Sequence, residues 1–185
     1  TIIVLAESIL ATVTGMAEVK NTQPAAWIAF ILAILIAFLL WSIYFDMTSE
    51  QETKSGYKYM QWLIFLHFPL LTSLSVAGAC IKIVLTDIQT ELPVTVQWMF
   101  CISLTTILFM VVGLTSIMKE EEEDRSYIRP VSRLLIITGM VMLLIPAFGH
   151  YLNATTFMSL ISVILFVPVL VGIRSWVRYK LFTGS

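Results

Sequence analysis

A carboxylate, an imidazole and an amine interrupt apolar stretches of the sequence at Glu7, His67 and Lys82, while Glu18 and Asp46 stand near the ends of such stretches. A carboxylate beside an imidazole can hold or relay a proton, or take part in the path of a small ion. Placing such groups at membrane depth costs at least ~2.5–3.5 kcal/mol each, so each needs a partner and is a functional candidate by default. Glu7, Ala11, Thr14 and Glu18 recur at helical spacing, which predicts one stripe facing protein or a water-filled cavity. His67, Leu71, Leu74, Gly78 and Lys82 recur in the same way. If the two stripes pack together, Glu7 meets His67 at one level and Glu18 meets Lys82 at the other. Pro69 follows the histidine by two residues; it lacks an N–H and deprives the carbonyl of Phe65 of its usual partner, interrupting the helix where polar backbone could line a transport path. A plainer reading of the same residues is a buried polar pair between helices, worth only about 0.6–2 kcal/mol, with a proline that shapes the bundle. Lys82 can also reach the surface along its own stem.

Other chemistries find less support. His150 is the only other histidine, and no His/Glu spacing resembles a metalloenzyme motif, so no metal site is expected. Neither a nucleophile motif nor a glycine-rich phosphate loop is present, and neither an enzyme nor a cofactor is predicted. Cys80 and Cys101 fall within apolar stretches and read as small apolar residues. The stretch from Lys119 to Arg129 contains five consecutive acidic residues, which repel one another and read as a solvated loop rather than a converging cation site. Asn153-Ala154-Thr155 fits a glycosylation tripeptide but falls in a tight turn.

These residues must be positioned by helices in a bilayer. The chain has 185 residues, 58% hydrophobic and 12% charged, with mean hydropathy +0.91. A soluble domain carries about a quarter charged residues, so most of this surface does not meet water. A net charge of −1, no basic stripe and two cysteines exclude a nucleic-acid-binding domain and a disulfide scaffold. Runs such as the one from Ala25 to Trp41 are apolar on every side, unlike the alternating strands of a membrane barrel. The predicted fold is all-α, a polytopic transmembrane helical bundle forming a single domain. About six spans are expected, near 1–18, 25–45, 59–85, 92–118, 131–150 and 154–176, each close to the roughly 20 residues a bilayer requires. The chain opens inside hydrophobic sequence at Thr1, which reads as the C-terminal part of a longer membrane protein with helices upstream.

The basic residues predict orientation. Lys54, Lys58, Lys119, Arg125, Arg129, Arg133, Arg174, Arg178 and Lys180 fall on one side of the membrane, and Lys20 and Lys82 on the other. Positive charge is retained in the cytoplasm, so both ends of the chain should be cytoplasmic. Trp41, Tyr44, Tyr57, Tyr59, Trp62, Trp176 and Tyr179 near the inner ends of spans, with Trp27 and Trp98 near the outer ends, read as interfacial anchors.

Three segments carry a resemblance: TIIVLAES at Thr1 to Ser8, LLWSIYFD at Leu39 to Asp46, and HFPLLTSLSVAG at His67 to Gly78. In this order and spacing the first 85 residues or so resemble the bacterial low temperature requirement protein A family. Ala6 stands where that family usually has glycine, and Cys80 and Lys82 follow the last motif where an acidic residue is expected. The resemblance implies upstream helices and a bacterial inner-membrane location. Glu7, Tyr44, Asp46, His67 and Pro69 correspond to family motif residues, but the family brings no secure substrate or reaction.

The expected function is transport, or proton- or ion-coupled movement of a small solute, in a polar centre built by the first three spans. Glu7 would titrate, His67 would be its partner, and Asp46 would stand at the cytoplasmic mouth; Tyr44, Pro69, Glu18 and Lys82 are secondary. The rival is a non-transporting membrane protein that supports envelope or assembly adaptation at low temperature, with Glu7 and His67 a structural pair. The expected partners are the lipid bilayer, upstream helices and a second copy of the chain; nucleic acid is not among them.

Overall fold

The computed structural model describes residues 10, 12–14, 24–48, 53–86, 92–119 and 125–183. Five long helices account for most of them: α1 (Pro24–Thr48), α2 (Tyr57–Thr86), α3 (Val94–Ile117), α4 (Arg125–Leu144) and α5 (Ala154–Thr183), with a 3-10 segment at Ile145–Tyr151 between the last two. No strand occurs among the described residues, whose one β feature is an isolated bridge between Thr53 and Met118. Each helix contains at least 21 residues in a span apolar enough to cross a membrane, counting the 3-10 turn with α4. The chain is an integral membrane protein, and these five helices match five of the six expected spans. The first expected span, 1–18, lies outside the described residues except for Leu10 and 12–14, which are helical.

Local sequence explains the helix ends. α1 opens on Pro24, where the missing N–H has no helical partner to lose. α2 opens after Gly56, whose φ of 137° is a left-handed turn that a side chain would strain. Pro146 stops α4 at Leu144, and the chain tightens into the 3-10 turn. α4 begins six residues before the expected Val131, because Pro130 lies close enough to the start that the helix passes it with one hydrogen bond missing.

Helix faces are chosen by size rather than polarity. In α1 the buried positions Ala26, Ala29, Ala33 and Ala37 form a small-residue face, continued by Leu40 and Ile43, while Trp27, Ile31, Phe38 and Trp41 point outward. Small residues let helix backbones approach closely where lipid supplies no hydrophobic drive. α3 is the central and most enclosed helix, with α2 against one side and α4 against another; α1 pairs chiefly with α5, α4 also meets α5, and α1 barely touches α2.

Several polar side chains within the bundle bond to nearby carbonyls, as hydrocarbon favours. Ser103 donates to the carbonyl of Phe100 at 2.8 Å, Ser162 to that of Met158 at 2.8 Å, and Gln97 Nε2 to that of Leu92 at 2.9 Å. Between helices, Thr105 donates to the carbonyl of Gly139 at 3.0 Å, joining α3 to α4.

Candidate functional site

α2 changes character at Pro69. Every fully buried residue of this helix lies beyond it, from Leu70 to Leu85, whereas Tyr57, Met60, Ile64, Phe65 and Phe68 before it are exposed. The helix runs through the proline without a break, so the expected interruption is confined to the hydrogen bond that the carbonyl of Phe65 lacks. His67 sits at this transition, half-buried, about ten residues or 15 Å of rise from the start of the helix. Its Nδ1 lies 2.8 Å from the carbonyl oxygen of Leu63. A carbonyl only accepts, so Nδ1 carries the hydrogen, and in the neutral ring Nε2 presents its lone pair. The geometry therefore fixes the ring and leaves one proton-accepting nitrogen at membrane depth.

The expected carboxylate partner, Glu7, and Glu18 lie outside the described residues. In the described part of that segment Thr12 is fully buried, while Thr14 is exposed and donates to the carbonyl of Leu10 at 3.0 Å. This is the local back-bond that hydroxyl side chains make within a helix. Lys82 is half-buried near the far end of α2, and the carbonyl of the same residue receives the Thr86 hydroxyl at 3.2 Å.

Asp46 is exposed in the last turns of α1. It lines a cleft of about 40 Å³, whose other walls come from Val131 and Leu135 of α4 and Pro168, Val169 and Ile173 of α5. Ser42, one turn earlier on the same face, lines the cleft with it. Tyr44 is half-buried, with its ring edge-on to Phe45 at 5.5 Å and its carbonyl receiving the Thr48 hydroxyl at 2.6 Å. The structure therefore places His67 and Asp46 on different sides of the bundle. Ser42 and Pro168 are the site residues that sequence reasoning passed over; the four-residue spacing of Ser42 and Asp46 was the available signal.

Among the described residues no group of three or more His, Cys, Asp or Glu side chains is arranged to hold a metal ion. Cys80 and Cys101 are buried free thiols in α2 and α3. The sequence profile of the bacterial low temperature requirement A protein (LtrA) family matches residues 1–171. The chain belongs to the LtrA family. The match extends well past the first 85 residues in which motifs are legible, through the first four described helices and into the body of α5. Neither the curated proteins nor the solved structures contain a match to this LtrA-family chain. Tyr44, Asp46, His67 and Pro69 all fall in its described helices.

Proposed function

We propose that this LtrA-family protein is a proton- or ion-coupled permease for a small solute. Glu7 is the titrating carboxylate, His67 is its partner through Nε2, and Asp46 serves the cytoplasmic end. The observation that carries this reading is His67 itself: a half-buried imidazole midway along a membrane-spanning helix, held by Leu63 through one nitrogen with the other left to accept a proton. A histidine kept only for packing would be replaceable by an apolar side chain without the insertion cost. The excess of lysine and arginine on one side supports an orientation with both ends of the chain in the cytoplasm.

The test is proton flux in proteoliposomes loaded with a pH-sensitive dye and driven by a potassium diffusion potential. The wild-type protein is expected to carry flux above empty liposomes. Glu7→Gln should lower it to background while the purified variant remains monodisperse in detergent. Normal flux in Glu7→Gln overturns the proposal. No wild-type flux above empty liposomes, together with a lowered unfolding temperature in Glu7→Gln, supports instead the non-transporting reading, in which the two residues form a structural pair.

A further inference from the structure

The first turns of α4 combine charge with exposure. Val131, Leu135, Thr138 and Met142 are buried, whereas Arg129, Arg133, Ile136, Ile137, Met140 and Leu144 are exposed. The exposed positions recur at helical spacing and make one outward face, with both arginines at its start and apolar side chains along the rest. Their depth follows from the packing of α4 on α3. Gly139 lies against Thr105 and Phe109, and the two helices, joined by a short connection, run in opposite directions. Arg129, ten residues before Gly139, is therefore level with residues 115–119, where α3 ends. Arg133 is a turn deeper, five residues inside the stretch Ile128–Phe148 that is apolar enough to cross the membrane.

A guanidinium stays charged at any depth, and one beside lipid needs an anion or a polar partner. Among the described residues neither Arg129 nor Arg133 has a hydrogen-bond or ion-pair partner. Asp46, the one acidic residue among those described, lines the cleft with Val131 and Leu135, which at about 100° per residue lie on the opposite side of α4 from Arg133. The acidic run Glu120 to Asp124 precedes the helix in the sequence, and Arg133 stands eight residues, about 12 Å of rise, beyond the first residue of α4. Two like charges one turn apart at the positive end of a helix also oppose its formation. A helical side chain leans toward the N-terminus of its helix, which directs Arg133 back toward Arg129 and the membrane boundary. An anion held there satisfies both arginines, and the apolar face continuing from Arg133 selects an anion that carries hydrocarbon.

We propose that Arg129 and Arg133 bind the phosphodiester of an anionic phospholipid at this boundary, with an acyl chain lying along Ile136, Ile137, Met140 and Leu144. Planar guanidiniums match the paired oxygens of a phosphate. A zwitterionic lipid offers the same phosphate but brings an ammonium that the arginines repel, so headgroups of net negative charge are selected. The site belongs to α4 and does not rest on the pairing of Glu7 with His67.

The experiment is native mass spectrometry of the full-length protein in an uncharged detergent, titrated with phosphatidylglycerol or with phosphatidylcholine of the same acyl chains. The wild type is expected to hold one phosphatidylglycerol about tenfold more tightly than phosphatidylcholine, the scale of a hydrogen bond to a charged group. Arg129→Gln combined with Arg133→Gln should abolish that difference and leave phosphatidylcholine binding as it was. Arg133→Lys keeps the charge, guards against a folding defect and should lower the preference severalfold by removing the paired donors. Arg174→Gln, which removes an exposed arginine of α5, should leave the preference intact. Equal affinity for the two lipids in the wild type, a preference unchanged by the Arg129 and Arg133 substitutions, or one lost equally in Arg174→Gln overturns the proposal. Displacement of the lipid by inorganic phosphate overturns it too, because the site would then recognise the free anion rather than a phospholipid.

Discussion

His67 has two nitrogens with different duties, and substitutions can separate them. The amide nitrogen of an asparagine side chain stands about where Nδ1 does, so His67→Asn keeps a donor for the carbonyl of Leu63 but has nothing at the position of Nε2. It is expected to unfold in detergent within about 1 kcal/mol of the wild type, the scale of one hydrogen bond, and to lose proton flux. His67→Gln reaches the Nε2 position and should retain more flux than His67→Asn despite losing the Leu63 contact. Wild-type flux in His67→Asn would show that Nε2 has no role. Glu7 and His67 were legible from sequence because an ionisable group in an apolar run is conspicuous. The cleft at Asp46 was not: Val131, Leu135 and Pro168 are unremarkable apolar residues more than eighty positions away, joined to Ser42 only by packing.

Helix length and number could be read from hydropathy, but faces could not, because a helix apolar all round shows no preferred side. Size settles it. The clearest case is the crossing of α3 and α4 at Gly139, where an added Cβ would lie 2.9 Å from Cε1 of Phe109 and 3.2 Å from Cγ2 of Thr105. Gly139→Ala is expected to destabilise the detergent-solubilised protein by about 1–3 kcal/mol, the usual range for overpacking, and Phe109→Leu in the same chain should restore part of it. Thr105→Val removes the hydrogen bond to the Gly139 carbonyl while keeping the shape, and should cost only about 0.6 kcal/mol, the average for such bonds between membrane helices. Thermal unfolding followed by circular dichroism distinguishes the two. An alanine variant as stable as the wild type would mean that the two helices do not approach as closely as described. The same close contact occurs between α2 and α3, where a Cβ on Gly113 would meet Leu66 at 3.1 Å.

Across the whole molecule, the loop between α1 and α2 is fastened to the far end of α3. Lys54 donates its backbone N–H to the carbonyl of Ile117 at 3.1 Å and its Nζ to that of Ser116 at 2.9 Å, placing a cation on the negative end of the helix. Its ammonium also lies 5.9 Å from the centre of the Tyr59 ring at the start of α2. Lys54→Ala should loosen this loop, with amide hydrogen exchange at residues 53–56 faster by roughly two- to fivefold, the equivalent of a helix-terminus charge. Unchanged exchange would assign the fastening to the backbone bond alone. From the sequence this lysine counted only toward the tally of positive charge on one side of the membrane.

Hydropathy and the spacing of its interruptions were enough to define a membrane-spanning helical protein, the approximate bounds of its helices and His67 as an odd residue within one of them. These follow from local physics: a bilayer demands a run of about 20 apolar residues, and a buried ionisable group is expensive wherever its partners are. Which helices touch was not contained in that signal. The described helices form a bundle organised on α3, with α1 turned toward α5 and only slightly in contact with α2. In lipid all apolar faces are equally well solvated, so neighbours are selected by fit between small and large side chains far apart in the chain. That selection directs Asp46 to a cleft with α4 and α5 and leaves the His67 half of α2 at the edge of the described bundle.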